Sequence, residues 1–178
     1  MTTLFLVRHG ESEWNLIGRV QGQDAAAGGL TMLGRAQARR AAAELAGRGA
    51  GSVVCSDLAR ARETAAIIAG VLGLPFSIDP DFREQHFGEL QGKLLAGGDL
   101  AGEIDRFWAE PFRRPPGGET VAELYARVHR ALGRYLGSST IVVAHGGVVR
   151  VAMAAGPPVL GRPMDRVRVG NGSVSVVR

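Results

Sequence analysis

Two adjacent residues near the start of the chain, Arg8 and His9, combine an anion-binding group with a possible nucleophile. They directly follow the apolar run 4–7, which predicts a buried strand. Open α/β sheets bind ligands at the carboxyl ends of their strands, and arginine is rarely buried without a partner. The position of this pair therefore favours a binding site over a role in packing.

A second histidine occupies the same kind of position further along the chain. His145 follows the apolar run 141–144, which again predicts a buried strand, and Gly146 and Gly147 precede a predicted helix. Glycine lets the backbone approach a ligand closely, and the first N–H groups of a helix can bind an anion. This segment therefore predicts a second wall of the same site.

A third strand end would add another positive charge. Arg60 lies in the first turn of a helix predicted over 57–72, after a strand predicted at 52–55, so its side chain could bend back over the strand ends. It could instead pair with Asp57 or Glu63 on the helix surface. If the three strand ends meet at one sheet edge, they form a positive pocket suited to a dianion such as a phosphoryl group.

The predicted elements alternate between strands and helices. Strands are predicted at 4–7, 52–55, 76–78 and 141–144, helices at 31–47, 57–72, 103–108, 120–136 and 148–155, and a hairpin with arms at 167–169 and 173–177. Leu124 and Leu136 are both predicted on the apolar face of the helix over 120–136. The order predicts an α/β fold, a three-layer sandwich with a mostly parallel central sheet, an antiparallel edge strand and helices on both faces.

Composition narrows the class of protein. The 178 residues are 46% hydrophobic and 21% charged, which is typical of a globular protein and predicts a single domain over 1–178. The net charge of +4 comes from scattered basic residues, so we expect no nucleic-acid partner. Cys55 is the one cysteine, which excludes an internal disulfide, and the sequence shows neither a secretory signal nor a membrane span. These features predict a cytoplasmic protein with no membrane partner.

Several sequence blocks occur together, in order, over nearly the whole chain. They are LVRHGESEWN (6–15), GRVQGQ (18–23), LT with Gly34 and QA (30–38), SDLARA with TA (56–65), Glu84 with FG and Gly92, GGE (117–119), VAHGG (143–147) and NGS (171–173). In this combination the chain resembles the histidine phosphatase superfamily, in its phosphoglycerate-mutase-like branch. The combination is far more specific than the tripeptide Arg-His-Gly alone.

The resemblance implies a role for each residue of the site. His9 would be the nucleophile that takes up the phosphoryl group, with its other ring nitrogen on a backbone carbonyl. Glu84 would protonate the leaving oxygen and then activate water, although a loop carboxylate can also be merely solvated. The phosphoryl oxygens would be bound by Arg8, Arg60 and a protonated His145, with Asn15, Gln21, Gly22 and Gly146 as further substrate-binding residues.

The activity implied by the resemblance is that of a phosphomonoesterase for a small phosphorylated metabolite. It would need no cofactor and no metal, because fixed cations do the work of a metal ion. The alternative is a cofactor-dependent phosphoglycerate mutase, which must shield its phosphohistidine from water. The insert predicted over the site at 89–118 is short and glycine-rich, and the chain ends soon after the last predicted strand, so we expect a phosphatase.

Two further points stay open at this level. An inactive module that binds phosphorylated ligands is a third alternative, although all the residues expected of a catalyst are present. The family contains both monomers and homodimers, and the sequence does not choose between them.

Overall fold

A computed structural model describes residues 2–96, 98–164 and 167–177. The strands are β1 (Leu4–Arg8), β2 (Ser52–Cys55), β3 (Phe76–Ile78), β4 (Thr140–Ala144) and β5 (Val174–Val177). The helices are α1 (Glu13–Leu16), α2 (Met32–Leu45), α3 (Ala59–Leu72), α4 (Leu100–Ala109), α5 (Val121–Gly133) and α6 (Gly146–Ala152). No helix among these residues combines the length and the apolar character needed to cross a membrane.

One five-stranded sheet has the order β3-β2-β4-β1-β5. The pairs β2–β3, β2–β4 and β1–β4 are parallel, and β5 adds an antiparallel edge beside β1. In the central pair, Arg8 lies opposite Ala144, so β1 and β4 end at the same level. The carboxyl ends of β1, β2 and β4 therefore meet at one edge of the sheet, as the sequence predicts.

Alternating residues of the strands supply two separate cores. Leu4 and Leu6 of β1 pack with residues of α4, α5 and α6 on one face, whereas Phe5 and Val7 pack with α2 and α3 on the other. All four side chains are buried, as expected for a strand covered on both faces. The predicted three-layer α/β sandwich, with a mostly parallel sheet and an antiparallel edge, is confirmed.

The start of α3 differs from the prediction. The helix begins at Ala59 instead of at residue 57, and its N-cap residue is Leu58, which offers no side-chain hydrogen bond. The carboxylate of Asp57 instead pairs with the guanidinium of Arg83. Arg60 still lies in the first turn of α3, which is the position that the site requires.

The C-terminal end of α5 also differs. The helix begins as a capping box, in which Thr120 and Glu123 exchange side-chain-to-backbone hydrogen bonds, but it ends at Gly133 instead of continuing to residue 136. Leu136 is therefore exposed over 61% of its surface, whereas Leu124 is 0% exposed. The prediction that both leucines belong to one core face is wrong for Leu136.

The closing hairpin forms in part. Residues 167–169 are not a strand, while β5 pairs with β1 instead of with them. The carbonyl of Val169 accepts a hydrogen bond from the Arg8 side chain at 2.7 Å, and that of Val167 accepts one from Arg150 at 3.2 Å. Arginine side chains therefore bind carbonyls that a hairpin would have paired with a strand.

The contrast between the two leucines of this region predicts different stabilities for two alanine variants. Leu124→Ala should lower the free energy of unfolding by about 3 kcal/mol, because it removes buried methyl groups and leaves a cavity. Leu136→Ala should change it by less than about 0.5 kcal/mol, as an exposed substitution does. Urea denaturation of both variants checks this, and similar losses for the two would contradict the position of Leu136.

Candidate active site

The paired ends of β1 and β4 bring two histidines into contact. His9 and His145 follow directly on Arg8 and Ala144, which lie opposite each other in the sheet, and His9 N donates to the carbonyl of Ala144 at 2.9 Å. The ring centroids are 5.1 Å apart in an edge-on arrangement. Both residues are buried, with 3% of His9 and 0% of His145 exposed. The structure thus brings the two predicted histidines into one site.

Backbone and side-chain contacts fix the tautomer of His9. Its Nδ1 lies 2.6 Å from the carbonyl oxygen of Gly10, and Arg60 Nε donates to its Nε2 at 3.3 Å. A hydrogen on Nδ1 satisfies the carbonyl and leaves the lone pair on Nε2, which accepts from the arginine. The nitrogen with the lone pair is therefore Nε2, on a ring that lines a cleft at the sheet edge.

Hydrogen bonds hold Arg60 at both its guanidinium group and its own backbone carbonyl. Its Nη2 donates to the carbonyl of Gly22 at 2.8 Å, and only 1% of the residue is exposed. Thr64 connects this turn of α3 to the residue after His9, because its hydroxyl donates to the carbonyl of Arg60 at 2.8 Å and accepts from Gly10 N at 3.1 Å. These contacts keep the guanidinium beside His9.

The alternative surface pairings of Arg60 do not form. Asp57 binds Arg83, and Glu63 forms an ion pair with Arg35 at 3.1 Å. Arg60 therefore projects into the cleft instead of along the helix surface, as the site prediction expects.

Arg8 supplies the second guanidinium of the cleft. Its Nη1 donates to the carbonyl of Val169, whereas its Nε is buried with no hydrogen-bond partner among the described residues. Burial lowers the pKa of Arg8, with Glu84 acting in the opposite direction, and burial lowers the pKa of Arg60 to about 10. Both groups are therefore still charged at neutral pH.

The buried position of His145 affects its charge state. Burial, followed by the nearby charges of Arg60 and Arg8, holds the pKa of His145 well below its usual range. Burial and the same two arginines also lower the pKa of His9 strongly. These causes favour the neutral form of His145, and neither of its ring nitrogens has a hydrogen-bond partner among the described residues.

Glu84 reaches the cleft from a segment without regular structure. Its Oε2 accepts from Gly147 N at 3.0 Å, at the start of α6, and its Oε1 accepts from Gln85 N at 2.9 Å. A Cβ on Gly147 would lie 2.3 Å from Glu84 Oε1, so glycine leaves the space that the carboxylate occupies. Glu84 lines the same cleft as His9, and it is not merely a solvated loop carboxylate.

The four predicted substrate-binding residues also line this cleft. Asn15 Oδ1 accepts from Asn171 Nδ2 and from Ser12 N, both at 3.1 Å, so its NH₂ group remains as the donor for a ligand. Gln21 Oε1 accepts from the Ser12 hydroxyl at 2.8 Å. Gly22 and Gly146 complete the set, with Gly146 as the first residue of α6, two residues earlier than the sequence predicts.

The cleft has a volume of about 180 Å³ and an excess of positive charge. Arg19 and Arg150 line it in addition to the two predicted arginines, and Glu84 is the acidic residue among its described lining residues. Sequence reasoning missed both Arg19, in the GRVQGQ block, and Arg150, which is one helical turn beyond Gly146 in α6. Arrangement and charge suit the binding of a dianion and an attack on it by His9.

The low pKa values of His9 and His145 make stability dependent on pH. In the unfolded chain each histidine binds a proton near pH 6.5, whereas in the folded protein both stay neutral. The unfolded state therefore takes up more protons below that pH, and the free energy of unfolding should decrease by about 1.4 kcal/mol per histidine between pH 7.5 and 5.5. Denaturant titrations at the two pH values measure this loss.

A His145→Gln variant provides the control for this pH dependence. It removes one of the two histidines, so its loss of stability on acidification should be smaller than that of the wild type by the contribution of one histidine. An equal loss in the two proteins would show that His145 takes up a proton in the folded state.

Comparison with known proteins places this geometry in a family. The chain is 36% identical over 190 residues to the "Probable phosphoglycerate mutase GpmB" of Serratia proteamaculans, covering 99% of this chain and 85% of the relative. It resembles the crystal structure of TTHB049 from Thermus thermophilus, with a TM-score of 0.77 and 35% identity over 99% of this chain and 94% of that one.

A mycobacterial glucosyl-3-phosphoglycerate phosphatase in complex with VO3 is also similar, with a TM-score of 0.77 and 31% identity over 85% of this chain and 78% of that one. The family model described as "Histidine phosphatase superfamily (branch 1)" matches residues 4–178. The match covers almost the whole chain, including the two histidines and two arginines described above. The protein therefore belongs to the histidine phosphatase superfamily, branch 1.

Proposed function

We propose that the protein hydrolyses phosphate monoesters of small metabolites through a phosphohistidine on His9. The observation that carries this proposal is the fixed tautomer of His9, whose Nε2 lone pair accepts from Arg60 and whose ring lines the cleft together with Arg8. A neutral imidazole is the nucleophilic form, and the burial that lowers the pKa of His9 keeps it in that form.

In the first step, His9 Nε2 attacks phosphorus while the bond from phosphorus to the ester oxygen breaks. Glu84, entering as the acid, gives its proton to the departing oxygen, and an alcohol leaves. Arg8 and Arg60 hold the phosphoryl oxygens, and the NH₂ of Asn15 adds a neutral donor. In this way the negative charge of the transferring group is matched by cations that the fold has already placed.

In the second step, water replaces histidine on phosphorus. Glu84, now a carboxylate, accepts a proton from the attacking water, the bond between nitrogen and phosphorus breaks, and phosphate departs with His9 neutral again. His145 lies beside His9, its ring nitrogens have no hydrogen-bond partner in the described part of the chain, and a bound dianion would favour its protonated form. We therefore assign the positive charge of His145 to the liganded site.

Relatives of this chain are named both as phosphatases and as mutases. Hydrolysis is favoured because segment 89–118 covers little of the cleft. Of its described residues, Leu95 and Ile104 line the cleft. A mutase has to protect phosphohistidine from water while its substrate reorients, which calls for a more complete cover. A phosphoglycerate mutase is the second candidate because curated relatives carry that name. The cytoplasmic location and the single domain stay predictions from the sequence, and the choice between monomer and homodimer stays open.

Replacement of the nucleophile tests the reaction directly. We expect the wild type to release phosphate from members of a panel of phosphorylated metabolites in the presence of a chelator, and His9→Ala to lose at least about 10³-fold in rate. Acid-labile, base-stable labelling of His9 after rapid quenching should accompany turnover. Release that survives His9→Ala unchanged, or that depends on a divalent ion, would contradict the proposal.

An assay with 3-phosphoglycerate and a trace of 2,3-bisphosphoglycerate separates the two candidate activities. A phosphatase releases inorganic phosphate, whereas rapid formation of 2-phosphoglycerate with little free phosphate would identify a mutase.

Two glycines at the start of α6 provide a matched pair of variants. Gly147→Ala should lower kcat/KM by about tenfold or more, because its Cβ would stand 2.3 Å from Glu84 Oε1 and displace the acid. Gly146→Ala should cost far less, since the nearest atom to its Cβ, Arg8 Nε, is at an ordinary 3.6 Å. Measured rates that fall equally in both variants would contradict the placement of Glu84.

A further inference from the structure

The carboxylate of Glu84 depends on an irregular stretch of backbone for its position. A short 3₁₀ turn ends at Phe82, and the following residues up to 87 belong to neither helix nor strand. The carboxylate itself is held by two backbone N–H groups, from Gln85 and Gly147. Something else has to fix the main chain of this stretch if the acid is to meet the leaving oxygen accurately.

One guanidinium group gathers the carbonyl groups of this stretch. Arg127, on α5, donates from Nη1 to the carbonyl oxygens of Asp81 at 2.6 Å and of Arg83 at 3.0 Å, and from Nη2 to that of Glu84 at 3.4 Å. Gln23 Nε2 adds a second donor to the Glu84 carbonyl at 2.9 Å. The backbone on the N-terminal side of the acid is thereby tied to a regular helix.

A carboxylate holds Arg127 in this orientation. Glu119 accepts from its Nε at 2.9 Å and from its Nη2 at 2.8 Å, and the two side chains are 16% and 15% exposed, respectively. The backbone of Glu119 binds the next residues of the same stretch, because its carbonyl accepts from Gln85 Nε2 at 2.8 Å and its N–H donates to the carbonyl of His86 at 2.7 Å. Arg127 and Glu119 together therefore hold the stretch on both sides of Glu84.

The shape of a guanidinium group is needed for this arrangement. Its planar fork presents donors in several fixed directions, and here Nε, Nη1 and Nη2 are all used. The ammonium of a lysine would keep the charge but could not satisfy a bidentate carboxylate and three carbonyls together. Loss of the fork would leave carbonyl groups without donors and free the main chain of Glu84 to shift.

We propose that Arg127, fixed by Glu119, is a positioning residue for the acid Glu84 in the first chemical step. This inference rests on the proposed function, in which Glu84 protonates the leaving oxygen. Arg127 is not among the residues that line the cleft, so it acts through the backbone of the acid and not on the substrate. Its loss should therefore affect the part of the reaction that needs the acid.

Leaving groups of different acidity provide a test that a general loss of stability would not mimic. An alkyl phosphate such as glycerol 3-phosphate needs the proton of Glu84, whereas p-nitrophenyl phosphate expels a stable phenolate without it. For Arg127→Lys and Glu119→Gln, kcat/KM should fall by about tenfold or more with glycerol 3-phosphate and by less than about threefold with p-nitrophenyl phosphate.

Two controls accompany these variants. Glu84→Gln removes the acid itself, so the loss of kcat/KM with glycerol 3-phosphate should exceed that with p-nitrophenyl phosphate by an even larger factor. Arg134→Gln disrupts another arginine of the region, which binds the carboxylates of Asp79 and Asp81 and none of the carbonyls that Arg127 holds. Its kcat/KM should change by the same factor with both substrates.

Each outcome decides between positioning and other roles. Equal losses with both substrates in folded Arg127→Lys and Glu119→Gln would overturn the inference while leaving Glu84 as the acid. Full retention of the glycerol 3-phosphate rate in Arg127→Lys would also overturn it, because charge alone would then suffice. If Glu84→Gln itself treats both substrates alike, the proposed acid is wrong, and the inference fails with it. Thermal denaturation of each variant establishes that the measured protein is folded.

Discussion

The parallel pairing of β1 with β4 is the constraint on which the active site depends. Because this register sets Arg8 opposite Ala144, the residues that follow the two strands are neighbours, and both are histidines. A shift of one residue would turn the strand side chains to the opposite cores and would separate the two rings. The burial of Leu6 and Val7 on opposite faces of the sheet therefore fixes the geometry of the histidine pair and also stabilises the fold.

Buried positive charge is the second defining property of the site. Two guanidinium groups lie beside two imidazoles, and burial is the largest cause that lowers the pKa of each of these four groups. Such an arrangement costs stability in isolation, which explains why backbone carbonyls of Gly22 and Val169 are needed to hold the arginines. A phosphoryl dianion would offset the repulsion among these positive charges. The groups that would bind it are already in place before it arrives.

Local patterns in the sequence predict the residues of the site better than they predict the residues that hold them in position. His9 and His145 could be assigned because each follows a short apolar run, and Arg60 because it opens a helix after a third such run. The low pKa of His145 could not be predicted, since it depends on desolvation and on charges brought from other segments. Arg127 carries no local signal: it is one of two arginines on the amphipathic helix α5, and its role depends on the carbonyls that the tertiary fold places around it. Leu136 and the segment 167–169 show the same limit, because helix ends and strand partners were decided by contacts distant in the sequence.

The position of β1 between β4 and β5 has a consequence for biosynthesis. The strand that leads into His9 is made before the other four, yet both of its partner strands come from residues 140–177, and a hydrogen bond between Asn171 and the His9 carbonyl spans 162 residues. Contacts of such large sequence separation form late and slowly. While the ribosome is still producing the middle of the polypeptide, the apolar segment LFLV has no strand to pair with and is a natural target for chaperones or for aggregation. The site at the end of β1 therefore cannot form until β4 and β5 have both been synthesised.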